Sequence, residues 1–498
     1  MKLIVPVIAA FLLLFPTFIL AETKEIIAEG AYNMGDGETP TVAESRALLQ
    51  AKRTAVEEAG TYVESYSKTR NFQLTVDEIQ VLASGVMEVE VLEKKRTVVG
   101  DGFNFWIKIK ARVSTDKMEE MAKKVKEKSV VEDYKKIQEA YDKSQREIEE
   151  LKRQLAGAKG EKERKKVEGK ITNDERLLKA NEWFEKGYQH SLKNENDEAI
   201  DAYTNAIALD PNDADAYTNR GVAYYSKGQY DRAIEDYNKA IAINPNYAKA
   251  YNNRGGAYDN KKQYDRAIED YNKAIALDPN DAEAYYNRGN AHYHKGQYDR
   301  AIEDFNKAIA LDPNDAAAYA NRGNAYNGKG QYDRAIEDFN KAIALDPNDA
   351  KVYYNRGIAY YDKGQHDRAI EDYNKAIALD LNDADAYTNR GNAYNAKGQY
   401  DRAIADYNKA IALDPDIAQA YYNRGNAYNA KGQHDRAIED YNKTIALDPN
   451  DAQAYGNRGI AYMNKGVMGK AISDFQKACD MGDEMGCAAL QRVLRERR

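Results

Sequence analysis

A surplus of positive charge is missing from this 498-residue chain, whose formal net charge is −8. Nucleic acid, which is bound largely by neutralising phosphates, is therefore disfavoured as a partner. After the first twenty residues no apolar run is long enough to cross a bilayer. Cysteine is nearly absent, with Cys479 and Cys487 alone, and none follows the N-terminal apolar run where a lipoprotein carries its lipid. Histidine is scarce as well. Four of the five, His190, His292, His366 and His434, stand where tyrosine recurs elsewhere, and His294 falls on a different helix face from His292. A metal site is disfavoured on that pattern, and no cofactor is expected. No acid–base pair or nucleophile constellation appears: Glu57 and Glu58 are neighbours on a predicted helix and point apart. The chain reads as non-enzymatic.

What is present begins with a leader. Met1-Lys2, an apolar run from Leu3 to Leu20 and then Ala21-Glu22 fit a secretory signal, with Ile19 and Ala21 at the two positions a signal peptidase reads. Pro6 and Pro16 interrupt the run and weaken the alternative, a retained membrane anchor. The expected setting is periplasmic or secreted, with residues 1–21 removed.

Residues 22–116 predict a small α+β module. Lys24–Tyr32 reads as a strand, and Val42–Tyr66 as a helix with the stripe Leu48, Ala51, Ala55, Ala59, Tyr62 and Val63. A short helix near Asp77–Ala83 comes next. Val89–Val99 and Phe103–Val113 then form a hairpin around Gly100-Asp101-Gly102. With Ala28-Glu29-Gly30, the alanine-rich helix and Ala83-Ser84-Gly85, this order resembles the N-terminal module of the flagellar assembly protein FlgT and of related envelope lipoproteins. That resemblance implies a Gram-negative envelope and a role in assembly.

Residues 117–179 form a charged connector of strong helix formers. Val130, Tyr134, Ile137, Tyr141, Ile148, Leu151 and Leu155 fall on a heptad seam, with Ser144 at its one polar position. Two arrangements satisfy this pattern: a homodimer through residues 130–155, or an arm lying on its own neighbours. Gly157, Gly160 and Gly169 suggest a flexible joint.

From Ala180 a 34-residue unit recurs nine times, starting at 180, 214, 248, 282, 316, 350, 384, 418 and 452 and ending at Met485. It accounts for the 39 tyrosines against 10 phenylalanines. Small residues recur at positions eight, twenty and twenty-seven (Gly221, Ala233 and Ala240 in the second unit), where two helices must approach closely. Aromatic rings fill the spaces between, a Gly-Gln pair turns the chain, and proline follows the second helix. Stacked units bury a face that one unit would leave wet. Period and pattern resemble the tetratricopeptide repeat (TPR) family. The expected fold is mainly α: a right-handed α-solenoid of nine TPR hairpins, with the α+β module and helical connector before it. The first unit departs from the pattern and reads as a cap. Leu381 replaces the closing proline of the sixth and is expected to let its helix run on. The recurring Asp-Arg and Glu-Asp pairs are expected at the solvated surface.

The ending, Cys479 to Cys487 and a helix over 486–498, resembles the joint of Sel1-like repeats, where cysteines eight apart link consecutive helices. That resemblance implies a Cys479–Cys487 bridge pinning a capping helix.

Resemblance to the TPR family also assigns the concave lining to positions two, five, six, nine, twelve and thirteen. Position six is asparagine in eight units: Asn219, Asn253, Asn287, Asn321, Asn355, Asn389, Asn423 and Asn457. An amide donates and accepts at once, which matches a peptide bond, and the array resembles the asparagine ladder of the O-linked N-acetylglucosamine transferase superhelix. An alternative reading has these amides holding neighbouring helices together. Asn290, Asn324, Asn392 and Asn426 at position nine, with Tyr286, Tyr354 and Tyr422 at position five, complete the candidate peptide-binding groove. The expected function is a scaffold holding a protein or extended peptide. A glycan suits the same tyrosines and amides, making a polysaccharide-binding or export-assisting protein the second reading.

Overall fold

A computed structural model describes residues 23–35, 39–69, 74–100, 102–114, 118, 121–122 and 128–496. The expected leader, 1–21, lies outside the described residues. The chain divides after Lys261 into two compact units.

In the first unit, strand β1 (Thr23–Asn33), helices α1 (Pro40–Thr69) and α2 (Val76–Val86), and strands β2 (Met87–Val99) and β3 (Gly102–Ser114) follow one another. The sheet is antiparallel in the order β1-β3-β2. Alternation on β3 turns Phe105, Ile107, Ile109, Ala111 and Val113 inward. Facing them on α1 is a stripe every four residues, Ala43, Ala47, Ala51, Ala55, Ala59 and Val63, all fully buried. Leu48 and Tyr62, expected on the stripe, are only partly buried at its flanks. Small side chains bring the helix backbone down onto the strand: a Cβ on Gly30 would lie 2.1 Å from the Ala47 carbonyl oxygen and 2.5 Å from the Ala51 nitrogen. Thr75 and Glu78 close a capping box at the start of α2.

The connector is an arm that packs within the chain. Helices α3 (Lys128–Gly157) and α4 (Glu161–Leu192) pack together. The heptad seam is consumed internally. Ile137 joins the core of the α+β module, Tyr141 and Ile148 bury against Val42 and Leu178, and Leu151 and Leu155 meet Val167 and Ile171. Of the two expected arrangements, the described residues adopt the arm on its own neighbours; a 3.5-residue spacing records that a stripe is buried without saying whose side chains cover it. The joint is also shorter than expected. Gly169 lies inside α4, and that helix runs without a break from connector into first repeat, across the boundary expected at residue 179.

From Asn196 onward, helices of 13 or 14 residues alternate. Each unit has a first helix (Ala316–Gly328 in the fifth) and a second (Tyr332–Leu345), here called A and B. Glycine after helix A takes a positive φ, +70° at Gly330. Asn194 and Lys262 hold the same left-handed conformation in the first and third units without being glycine. Aspartates 213, 281, 315, 383 and 451 cap the next helix A through a backbone N–H three residues on. The sixth unit's helix B ends at Leu379, in step with Leu345 and Leu413, so Leu381 extends nothing. The Asp380 backbone N–H still bonds Ala376, and Asp383 restarts the next helix.

Glycine at position eight is explained by a ring. The position-24 aromatic of the same unit packs against it, and a Cβ on Gly323 would fall 2.8 Å from Phe339. The two helices are also joined by an ion pair. Arg356 donates through Nε and Nη2 to both carboxylate oxygens of Asp372, at 2.7 and 2.6 Å. The pair recurs at Arg220–Asp236 in the second repeat and at Arg288–Asp304, Arg322–Asp338, Arg390–Asp406, Arg424–Asp440 and Arg458–Asp474. Nη1 of the same arginine reaches the preceding helix B, Asn306 from Arg322 and Asn374 from Arg390. The aspartate of each Glu-Asp pair is thus buried, 5% exposed at Asp372, where solvent exposure was expected. Burial raises the Asp372 carboxyl above its ordinary range even though Arg356 pulls the other way. The Asp-Arg pairs do stay at the surface: Asp333 meets Lys363 of the next unit and Arg334 bonds Gln331.

At the C-terminal end, Cys479 and Cys487 are joined, with Cα atoms 4.5 Å apart. The final helix, Glu484–Glu496, seats Leu490 and Val493 against Phe475. Among the described residues, no helix is long and apolar enough to cross a membrane.

Candidate peptide-binding surface

The inward amides divide into classes, and tyrosine hydroxyls decide which class each belongs to. Four pairs of asparagine stand 31 residues apart in the second unit, position nine of one repeat with position six of the next. Three are bonded: Asn321 Nδ2 to Asn290 Oδ1 at 2.9 Å, Asn423 to Asn392 at 2.8 Å, and Asn457 to Asn426 at 3.1 Å. Each bonded pair is fixed by at least one hydroxyl. Asn321 also donates to Tyr286 at 2.9 Å and Asn457 to Tyr422 at 2.8 Å, while the Tyr407 and Tyr441 hydroxyls donate to Asn392 and Asn426, both at 2.8 Å. Asn389 likewise donates to Tyr354 at 2.7 Å. Burial pushes the Tyr354 phenol up to about 12, with Asp385 and Asp383 adding, so it stays a neutral partner at any ordinary pH.

The fourth pair, Asn324 and Asn355, is not bonded. Neither side chain makes a hydrogen bond among the described residues, and both are half-buried. The sequence explains it. Position five of that repeat is Ala320 and position twenty-four is Phe339, so both hydroxyls that hold the other pairs are missing. In the first unit, Asn253 follows Thr218 and Val222, which supply neither an amide nor a phenol, and its buried Nδ2 has no partner. Asn219 makes no side-chain hydrogen bond among the described residues, and Asn287 is partnered.

Of the two readings of these amides, Asn321, Asn389, Asn423 and Asn457 follow the one that holds neighbouring repeats together. Tyr286, Tyr354 and Tyr422 are packing residues that tilt against Phe305, Tyr373 and Tyr441 of their own repeats. The first repeat's lining is covered by the N-terminal part of the chain. Asn181 Nδ2 donates to Ser144 Oγ at 3.2 Å, the Tyr188 hydroxyl to the Val130 carbonyl at 3.0 Å, and Gln189 to Ser84 at 2.7 Å. Burial also raises the Glu182 and Glu185 carboxyls, which Lys52 of α1 partly offsets.

Sequence models of this repeat, described as "TPR repeat" and "Tetratricopeptide repeat", match residues 187–228, 214–247, 236–269, 260–296, 282–315, 305–337, 323–466 and 452–481. Together they tile 187–481, more than half of the chain. The chain belongs to the tetratricopeptide repeat family. No curated protein matches it. Among solved structures, the MamA protein is 36% identical, over 34% of this chain and 92% of that one, with a TM-score of 0.32. YrrB, described as a TPR protein with an unusual peptide-binding site, is 28% identical over 38% of this chain and 96% of its own, with a TM-score of 0.33. A tetratricopeptide repeat protein from Parabacteroides merdae ATCC 43184 is 24% identical over 50% and 99%, with a TM-score of 0.41. As a tetratricopeptide repeat protein, the chain is an interaction scaffold.

The arginine–aspartate pair that fastens each TPR hairpin was missed in the sequence, because its members stand 16 residues apart on different helices. A signal existed: the first repeat lacks both, with Lys186 and Ala202 in their places.

Proposed function

We propose that this protein is a non-enzymatic adaptor of the bacterial envelope, whose second unit holds an extended polypeptide by its backbone. The character of the lining carries this reading. Across residues 282–464, positions nine and twelve hold Asn290, Asn324, Asn392, Asn426, Tyr293, Asn327, Tyr361, Asn395 and Asn429, with Ile358, Ile460 and Met463 at the rest and no charged residue, in a chain that is 31% charged. An open side-chain amide can donate to a peptide C=O and accept from a peptide N–H at once. Such contacts contribute about 0.5–1.5 kcal/mol each, so binding depends on several together.

Envelope placement rests on the leader-like first 21 residues, and docking to an assembly on the α+β module. Panning a displayed random-peptide library on the full chain, beside a glycan array, tests the main claim. Enriched peptides with a silent array support it; glycans alone would replace it with the polysaccharide reading. Amino-terminal sequencing of the exported protein should begin at Glu22, and a full-length cytosolic chain would remove the envelope placement.

A further inference from the structure

Resting on that reading, we propose that the junction of the fifth and sixth repeats, centred on Asn324 and Asn355, is the primary contact for the polypeptide backbone. The argument is one of unfilled hydrogen-bonding capacity. At the other three equivalent junctions of the second unit, the position-six amide is held by a neighbouring asparagine, and a tyrosine hydroxyl fixes the arrangement. Here Ala320 and Phe339 remove both hydroxyls, and the two amides stay open among the described residues. One turn further along the same helix A, Asn327 Oδ1 is buried with no partner among the described residues, as is the equivalent Asn395 Oδ1 in the seventh repeat, so it is the two open amides that set this junction apart. No polar atom of Asn324 or Asn355 is a buried orphan, so water reaches both amides in the free protein and an incoming backbone can take its place.

The ligand chemistry follows from the donor set. Two adjacent neutral amides offer two carbonyl oxygens and two NH2 groups, which complement the alternating N–H and C=O of an extended chain. A carboxylate or phosphate would find no cation among these three side chains.

The test transplants the neighbours' own residues. Ala320→Tyr with Phe339→Tyr installs the hydroxyls that native repeats carry at those positions, so the double variant should fold, and it ties the open amides down. A peptide enriched on the full chain, fluorescently labelled, provides the probe. We expect Asn324→Ala with Asn355→Ala to weaken its binding about tenfold, as two lost hydrogen bonds would. The tyrosine transplant should weaken it similarly while the melting temperature holds or rises. Asn321→Ala should lower the melting temperature and leave affinity within about twofold. If the peptide binds the Asn324/Asn355 variant as tightly as the native chain, or if Asn321→Ala weakens it as much, the junction is not the site, although the polypeptide reading survives. If panning enriches no peptide, that reading fails and the inference falls with it.

Discussion

In the first repeat, Asn181, Tyr188 and Gln189 are taken up by the connector and by α2. In the fifth, the Asn324 side chain makes no hydrogen bond among the described residues, and neither does its counterpart Asn355 in the sixth. Both hairpins seat a ring on the position-eight glycine, Tyr203 on Gly187 and Phe339 on Gly323. What differs is the supply of partners around each: a long arm in one case, the absence of two hydroxyls in the other. A repeat thus fixes the backbone and the ion-pair fastening, while a few variable positions decide whether a lining amide is structural or available. The second repeat and the fourth to ninth share the arginine–aspartate fastening, and the first, held by its own helical arm, does without it.

Breaking that fastening should have the largest effect. Arg356→Ala leaves Asp372 buried and unpaired and should destabilise the second unit by about 3 kcal/mol, measured by urea denaturation. The matching change in the first repeat, Lys186→Ala, should be close to neutral; equal losses would erase the contrast.

A comparable effect, dependent on pH, lies in the caps. Burial pushes the Asp213 carboxyl up to about 6, with Asp215 and Asp210 adding and the Ala216 N–H opposing. An acid with a raised folded value binds its proton more tightly folded than unfolded. Its contribution to stability is therefore full below about pH 4 and is lost as pH rises through about 6, a difference of about 3 kcal/mol. Asp213→Asn keeps the capping oxygen, so it should flatten that slope and raise the melting temperature at pH 7.5. An unchanged slope would show that this carboxyl is not responsible. Gly323→Ala comes next. Its methyl would press on the Phe339 ring, and a loss of about 2 kcal/mol is expected by urea denaturation. Smallest are the backbone changes. Gly169→Ala, with open space around the new methyl, and Lys262→Gly, at a φ of +58°, should each stabilise by about 0.5–1 kcal/mol in thermal melts.

Much of this was legible in the sequence. The 34-residue period gave the hairpins, and the alternation of Phe105 to Val113 gave the central strand. Turn glycines gave the left-handed positions, except where Lys262 adopts one without the residue that signals it. Three things escaped for physical reasons. A heptad seam reports burial and is silent about the partner, so Tyr141 and Ile148 read equally well as a dimer interface. Arg356 and Asp372 approach only after the hairpin closes. The state of each asparagine depends on residues 15 to 35 positions away, Tyr407 for Asn392 and Tyr354 for Asn389, so position six alone carries no information about whether its amide is open.

Side-chain amide hydrogen exchange, followed by NMR on the full chain with asparagine side-chain nitrogen labelled and assigned by single substitution, addresses this directly. Slow exchange is predicted for the Nδ2 hydrogens of Asn321, Asn423 and Asn457, and the rate of a free amide for those of Asn324 and Asn355. Equal protection at Asn321 and Asn355 would contradict it.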